Sequence, residues 1–254
     1  MDIGLVLSGG GARGFAHIGV IQALEELGLQ FARVSGTSAG SIVGSLYANG
    51  YSPQEILEIT KQISILKSVR PAWAWSGLLR MDGLEALLRR YLPHNDFSKL
   101  KKPMTITATD IQNGKVKYFT EGVLIPAIIS SCCIPGIFNP FSYQGCMYVD
   151  GGLIDNLPAA PIREQSRFLI GSHCNQVSDS FDASSMVTVI ERSLLIVTSA
   201  NAKNSKIMLD VLVEPPGLDK YSSYDISKAK EIYDIGYGFT KRNFNRAQFK
   251  EMLL

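Results

Sequence analysis

The chain opens on Ile3-Gly4-Leu5-Val6-Leu7, an unbroken apolar run short enough to predict a buried strand. At Phe15 the spacing becomes helical, with Ile18, Ile21, Leu24 and Leu27 apolar, and Gly28 ends the segment. Ala32-Arg33-Val34 predicts the next strand, and Ser41 to Ala48 a helix that starts directly behind Ser38. Ser52, Pro53 and Glu55 spell a capping box for a helix through Ile56, Leu57 and Ile59. Asp82-Gly83-Leu84-Glu85 opens another, which runs to Tyr91 and stops at Pro93. The period then becomes two: Met104 to Thr109 alternates, Asn113-Gly114 predicts a tight turn, and Lys115 to Thr120 returns. Leu124 to Ser131 predicts a short apolar helix, Tyr148-Val149 a strand end, and Arg167 to Ser172 a buried strand. Met186 to Ala200 reads as helix, Ile207 to Val213 as strand and Ser227 to Phe239 as helix. Strands and helices alternate without a repeat, linker or low-complexity segment, so residues 1–254 are expected to form one α/β domain.

Composition narrows the partners. Lys plus Arg is 25 against 23 acidic residues, too even for a nucleic-acid-binding surface, and no basic run supplies one. The four cysteines, Cys132, Cys133, Cys146 and Cys174, lack paired metal spacing and read as reduced thiols of a cytoplasmic protein. No apolar run is long enough to span a bilayer and no leader-like segment opens the chain, so the expectation is soluble, or peripheral at a membrane at most. One stretch leaves the regular pattern: between Ile63 and Arg80, apolar residues mix with Lys67, Arg70, Trp73 and Trp75. Aromatics among basic groups suit a lipid-facing cover over an apolar pocket; a packed helical excursion is the other reading.

Candidate chemistry sits at two glycine-rich turns. Gly36-Thr37-Ser38-Ala39-Gly40 has the Gly-x-Ser-x-Gly pattern between a strand and a helix. A sharp turn there presents the serine hydroxyl, and the glycines leave room for the backbone. Gly9-Gly10-Gly11-Ala12-Arg13-Gly14 follows the first strand. It matches Gly-x-Gly-x-x-Gly literally, but a dinucleotide site needs an acidic residue at the end of the next strand, where the chain has Ser35-Gly36-Thr37. The alternative is an oxyanion hole, in which unshielded glycine N–H groups converge on an anion and Arg13 adds positive charge nearby.

Ser38 needs a base. Only three histidines are present, His17, His94 and His173, and the order Ser38, Asp150, His173 fits a Ser-Asp-His esterase. Asp150 acting directly is the other option, with Gly151 and Gly152 allowing close backbone approach; Asp110 and Asp155 compete with it.

The glycine loop, the Ser38 turn and Asp150-Gly151-Gly152, taken in order, resemble the patatin-like phospholipase family, as does Ser130-Ser131-Cys132-Cys133-Ile134-Pro135-Gly136 between them. The similarity is strong over a motif-bearing core of about residues 3–160. The resemblance implies a three-layer α/β/α sandwich around a mainly parallel sheet. It implies a Ser38–Asp150 dyad, with Ser38 as nucleophile and Asp150 as general base. Gly9, Gly10 and Gly11 would donate to the oxyanion beside Arg13, with Gly14, Gly36, Gly40, Gly151 and Gly152 supporting the turns. It implies lipid acyl esters as substrate, an acyl-serine intermediate, and no metal or cofactor. A non-catalytic lipid-binding protein on the same scaffold is the rival of a different class.

Overall fold

The computed structural model describes residues 2–63, 81–179, 181 and 183–252. Trp73 and Trp75 lie outside the described residues. The strands are β1 Ile3–Leu7, β2 Arg33–Thr37, β3 Met104–Asp110, β4 Lys115–Phe119, β5 Phe141–Tyr143, β6 Cys146–Asp150, β7 Phe168–Ser172 and β8 Val211–Val213. The helices are α1 Phe15–Glu26, α2 Ala39–Asn49, α3 Pro53–Lys61, α4 Asp82–Tyr91, α5 Leu124–Cys132, α6 Ala160–Arg163, α7 Met186–Ile207, α8 Ala229–Asn243 and α9 Arg246–Met252.

One sheet runs in the order β5-β6-β3-β2-β1-β7-β8, with β4 also paired to β3. From β3 through β8 the pairs are parallel, and the β4, β5 and β6 pairs are antiparallel. Side chains of β1 explain why the sheet is covered twice. Ile3, Leu5 and Leu7 join the core under α1, α2, α5 and α8, whereas Val6 packs with Leu157, Ile162 of α6 and Ala202 of α7 on the opposite face. A strand with both faces buried in this way reads in sequence as a continuous apolar run, which is how β1 reads. The architecture is the expected three-layer sandwich around a mainly parallel sheet.

The register of β3 places the chemistry. Residues Met104–Thr107 pair with β2, and Ala108–Asp110 pair with β6, while β4 spans Ile106–Asp110. Since β4 faces both sets, β2 and β6 share the opposite edge of β3. They run along it toward each other and meet at their C-terminal ends: Thr37 pairs with Thr107, and Asp150 with Ala108. The residue after Thr37 is therefore carried next to Asp150, although the two lie far apart in sequence.

Two sequence expectations change. The segment from Ile207 divides differently: α7 continues to Ile207 and only Val211–Val213 is strand. Ala202 and Ser205 keep a buried face on the extra turns, so packing carries the helix beyond Ala200. β5, α6 and α9 also form where no element was expected.

Candidate active site

Ser38 joins β2 to α2 with φ 52° and ψ −121°, a backbone conformation that L-residues rarely hold unless their surroundings enforce it. The surroundings are tight. A Cβ on Gly40 would lie 2.4 Å from the Leu7 carbonyl oxygen, and one on Gly36 would lie 2.4 Å from the Gly40 carbonyl oxygen. Backbone cannot yield as a flexible side chain can, so both positions require glycine. The Ser38 N–H donates to Ser131 Oγ of α5 at 2.7 Å, which ties the turn to the neighbouring helix.

The Asp150 carboxylate lines the same cavity as Ser38, accepts the Gly152 N–H at 2.8 Å and is stabilised as the anion by the Ser38 hydroxyl as well. Burial raises the Asp150 carboxyl to about 6, against the stabilisation of the anion by those two donors. The competing carboxylates are engaged elsewhere. Asp110 accepts the Gln112 and Asn113 N–H groups in the β3–β4 turn. Asp155 accepts the Tyr118 hydroxyl at 2.8 Å, and its carbonyl accepts the Thr37 hydroxyl at 2.9 Å.

The histidine alternative does not assemble. His173 is fully buried, and its Nδ1 donates to Glu214 at 2.6 Å, where Lys206 also pairs. It lines neither cavity beside Ser38. Its Nε2 has no hydrogen-bond partner among the described residues, and burial depresses its basicity. His17 is equally buried: Nε2–H donates to the Ser8 carbonyl, so Nδ1 accepts the Ser172 hydroxyl and the ring is neutral. Burial lowers its pKa to about 4. His94 lies on an exposed turn.

The glycine loop leads into a short 3-10 turn, Gly11–Gly14, and then α1. Its N–H groups differ in what they do. Gly9 N–H donates to the Asn156 carbonyl at 3.1 Å, and Ala12 N–H to the Ser223 carbonyl at 2.7 Å. This anchors the loop at both ends, with the Gly9 N–H engaged at the first of them. Gly11 has φ 56°, and a Cβ there would lie 2.2 Å from the Ser223 carbonyl oxygen. Arg13 is buried and its Nε donates to the Tyr221 carbonyl at 2.8 Å, so it fixes the 217–224 segment as well as contributing charge to the cleft.

Two cavities meet at Ser38. One is walled by apolar groups, among them Phe15, Ile42, Val43, Leu84, Ile134 and Phe138. The other is more polar and holds Gly10, Arg13, Asp150, Asn156, Asn175, Glu191 and Tyr224. Ser38, Gly11, Ile134, Ser223 and Tyr224 line both. Glu191, on α7, accepts the Ser223 N–H at 3.1 Å. Burial, then the charges of Glu191 and Asp150, keep the Tyr224 phenol protonated. Asn156, Asn175, Glu191 and Tyr224 were missed in the sequence. Asn156 stood close behind Asp150 and was within reach; the others are single polar residues brought in by distant loops and α7, with no local pattern.

Among the described residues, no group of three or more His, Cys, Asp or Glu side chains is placed to hold a metal ion. The thiols of Cys132, Cys133 and Cys174 are buried and raised by burial, and all four cysteines are free. No helix among the described residues is long and apolar enough to cross a membrane.

Residues 5–162 match the family model described as patatin-like phospholipase. An uncharacterized NTE family protein of Mycobacterium tuberculosis is 38% identical over 162 residues, covering 63% of this chain and 45% of that one. The lysophospholipase NTE1 of Lodderomyces elongisporus is 28% identical over 291 residues, covering 99% of this chain and 20% of its own length. The chain thus spans less than half the length of these curated relatives. Among solved structures, VipD from Legionella pneumophila superposes with a TM-score of 0.57 at 17% identity, covering 95% of this chain and 66% of that one, which is a likeness of fold.

Proposed function

This chain belongs to the patatin-like phospholipase family, and from that premise we propose that it is a lipid acyl-ester hydrolase using Ser38 and Asp150. The observation that carries the reading is that Ser38, held at positive φ, and the buried Asp150 carboxylate line one polar cavity where it meets an apolar one. The acyl chain enters the apolar cavity and the alcohol portion of the ester occupies the polar one. Ser38 Oγ attacks the carbonyl carbon while Asp150 takes its proton. The oxygen of the tetrahedral intermediate is held by the N–H groups of Gly10 and Gly11, while Gly9 and Arg13 keep the loop in place. Collapse expels the alcohol, which takes the proton back from Asp150. Water, deprotonated by Asp150, then attacks the acyl-serine and releases the fatty acid.

Asp150 at about 6 is mostly ionised at neutral pH yet more basic than an exposed carboxylate, which suits this two-way proton transfer. The fungal relative's name, lysophospholipase, makes a single-chain phospholipid the substrate to try first. Incubation with palmitoyl lysophosphatidylcholine micelles should release palmitate from the wild type and none from Ser38→Ala. Palmitate release by Ser38→Ala at the wild-type rate would remove Ser38 from the reaction. A folded wild type that binds the lipid without releasing palmitate would favour the lipid-binding alternative.

A further inference from the structure

Helix α7 faces the cleft on one side and presents apolar side chains outward on the other. Its inner face supplies Glu191, Leu194, Leu195 and Thr198 to the cleft that holds Ser38 and Asp150. Its outer face, from Met186 to Ala200, presents Val189, Ile190, Ser193, Ile196 and Val197 and carries no charged side chain. Met186 is 73% exposed and Ile196 50%. A contiguous exposed apolar stripe of this kind is ordinarily covered, by protein or by lipid.

We propose that the outer face of α7 is the surface by which this protein settles on a lipid assembly, bringing the cleft mouth to the ester; this rests on the hydrolase reading above. Two observations choose that occupant over a second copy of the chain. The first is continuity with the site. The Ile190 Cγ2 methyl lies 3.9 Å from where a Cβ on Gly136 would stand, and Ile134 and Pro135, just before Gly136, line the cleft. The stripe therefore adjoins the loop that lines the cleft. The second is size. Fifteen helical residues extend about 21 Å, and at a helix width of about 10 Å the stripe offers roughly 200 Å². A stable dimer needs about 800 Å² from each partner. A fluid apolar surface needs no such complementary area.

The test uses Ser38→Ala as the background, so that bound lipid is not consumed. Ser193→Glu with Ala200→Glu puts two charges into the stripe, one at its middle and one at its C-terminal end, at exposed positions that line neither cavity. Ile196→Gln with Val197→Gln is the second variant, and both are checked for folding by circular dichroism. Co-sedimentation with phosphatidylcholine vesicles should be clear for the parent, little affected by salt, and at least tenfold weaker for either double variant. With Ser38 restored, both variants should react with a soluble short-chain ester within twofold of wild type, yet lose about tenfold or more on vesicle substrate. Unchanged vesicle binding by the folded glutamate variant, or no binding by the parent, would overturn the proposal. So would light scattering that finds a parent dimer and a monomeric glutamate variant. Loss of soluble-ester turnover in every chain would instead count against the hydrolase reading, since vesicle binding is scored without catalysis.

Discussion

At the scale of single residues, the site depends on two groups held where they are costly to hold. Ser38 sits at positive φ, and Asp150 is a buried carboxylate lifted to about 6. A base of that pKa gives a pH–rate profile for soluble ester turnover that rises through about pH 6 and levels above it. A profile still climbing between pH 8 and 9 would point to a different base. Asp150→Asn should lower turnover by about 10²- to 10⁴-fold, the usual worth of a positioned base. In Gly11→Ala the new methyl meets the Ser223 carbonyl, displacing the loop, and a fall of about 10²- to 10³-fold is expected for a lost oxyanion donor. Near-normal kcat in that variant would remove the glycine loop from the chemistry. Ser38 was legible in the sequence because a strand-to-helix elbow is local and its glycines flank the serine. Asp150 was legible as a candidate only, since a turn motif looks alike whether or not it faces a nucleophile.

At the scale of elements, the decisive feature is the shared edge of β3. β2 leaves the sheet at Thr37, and β6 takes up the same edge from the opposite direction. No local pattern encodes that pairing, so spacing could not choose among Asp110, Asp150 and Asp155, whereas the register sets Asp150 next to the residue after Thr37. Nor could spacing exclude His173, which β7 carries to Glu214 and away from the dyad. The same limit explains the misplaced end of α7, where tertiary contacts of Ala202 and Ser205 outweigh local preference. α5 contributes through Ser131, whose hydroxyl takes the Ser38 N–H. Ser131→Ala leaves that buried N–H without a partner, at a cost of about 1–3 kcal/mol. A lowered thermal midpoint together with slower covalent labelling of Ser38 is expected. A lowered midpoint with unchanged labelling would mean that the elbow holds without α5.

At the scale of the whole molecule, the buried groups give stability opposing dependences on pH. Asp150 binds its proton more tightly folded than unfolded, so its contribution is full below pH 4 and is lost as pH rises through about 6. His17 is the reverse: its contribution is full above pH 6.5 and is lost as pH falls toward about 4, and His173 shifts in the same direction. A displacement of about two pKa units corresponds to roughly 3 kcal/mol, so the two trends offset between about pH 4 and 6. Asp150→Asn removes one of them. Urea midpoints should show this variant more stable than wild type at pH 7.5 and losing stability more steeply on acidification; parallel curves would contradict the assignment. The site thus lowers the stability of the fold at neutral pH, as expected where a carboxylate is buried for reactivity. Whether Asp150 makes Ser38 reactive is read by intact mass after exposure to a fluorophosphonate. One adduct is expected on the wild type, located at Ser38, none on Ser38→Ala, and labelling slowed by at least a hundredfold in Asp150→Asn. An adduct on Ser38→Ala, or labelling of Asp150→Asn at the wild-type rate, would contradict the Ser38–Asp150 dyad.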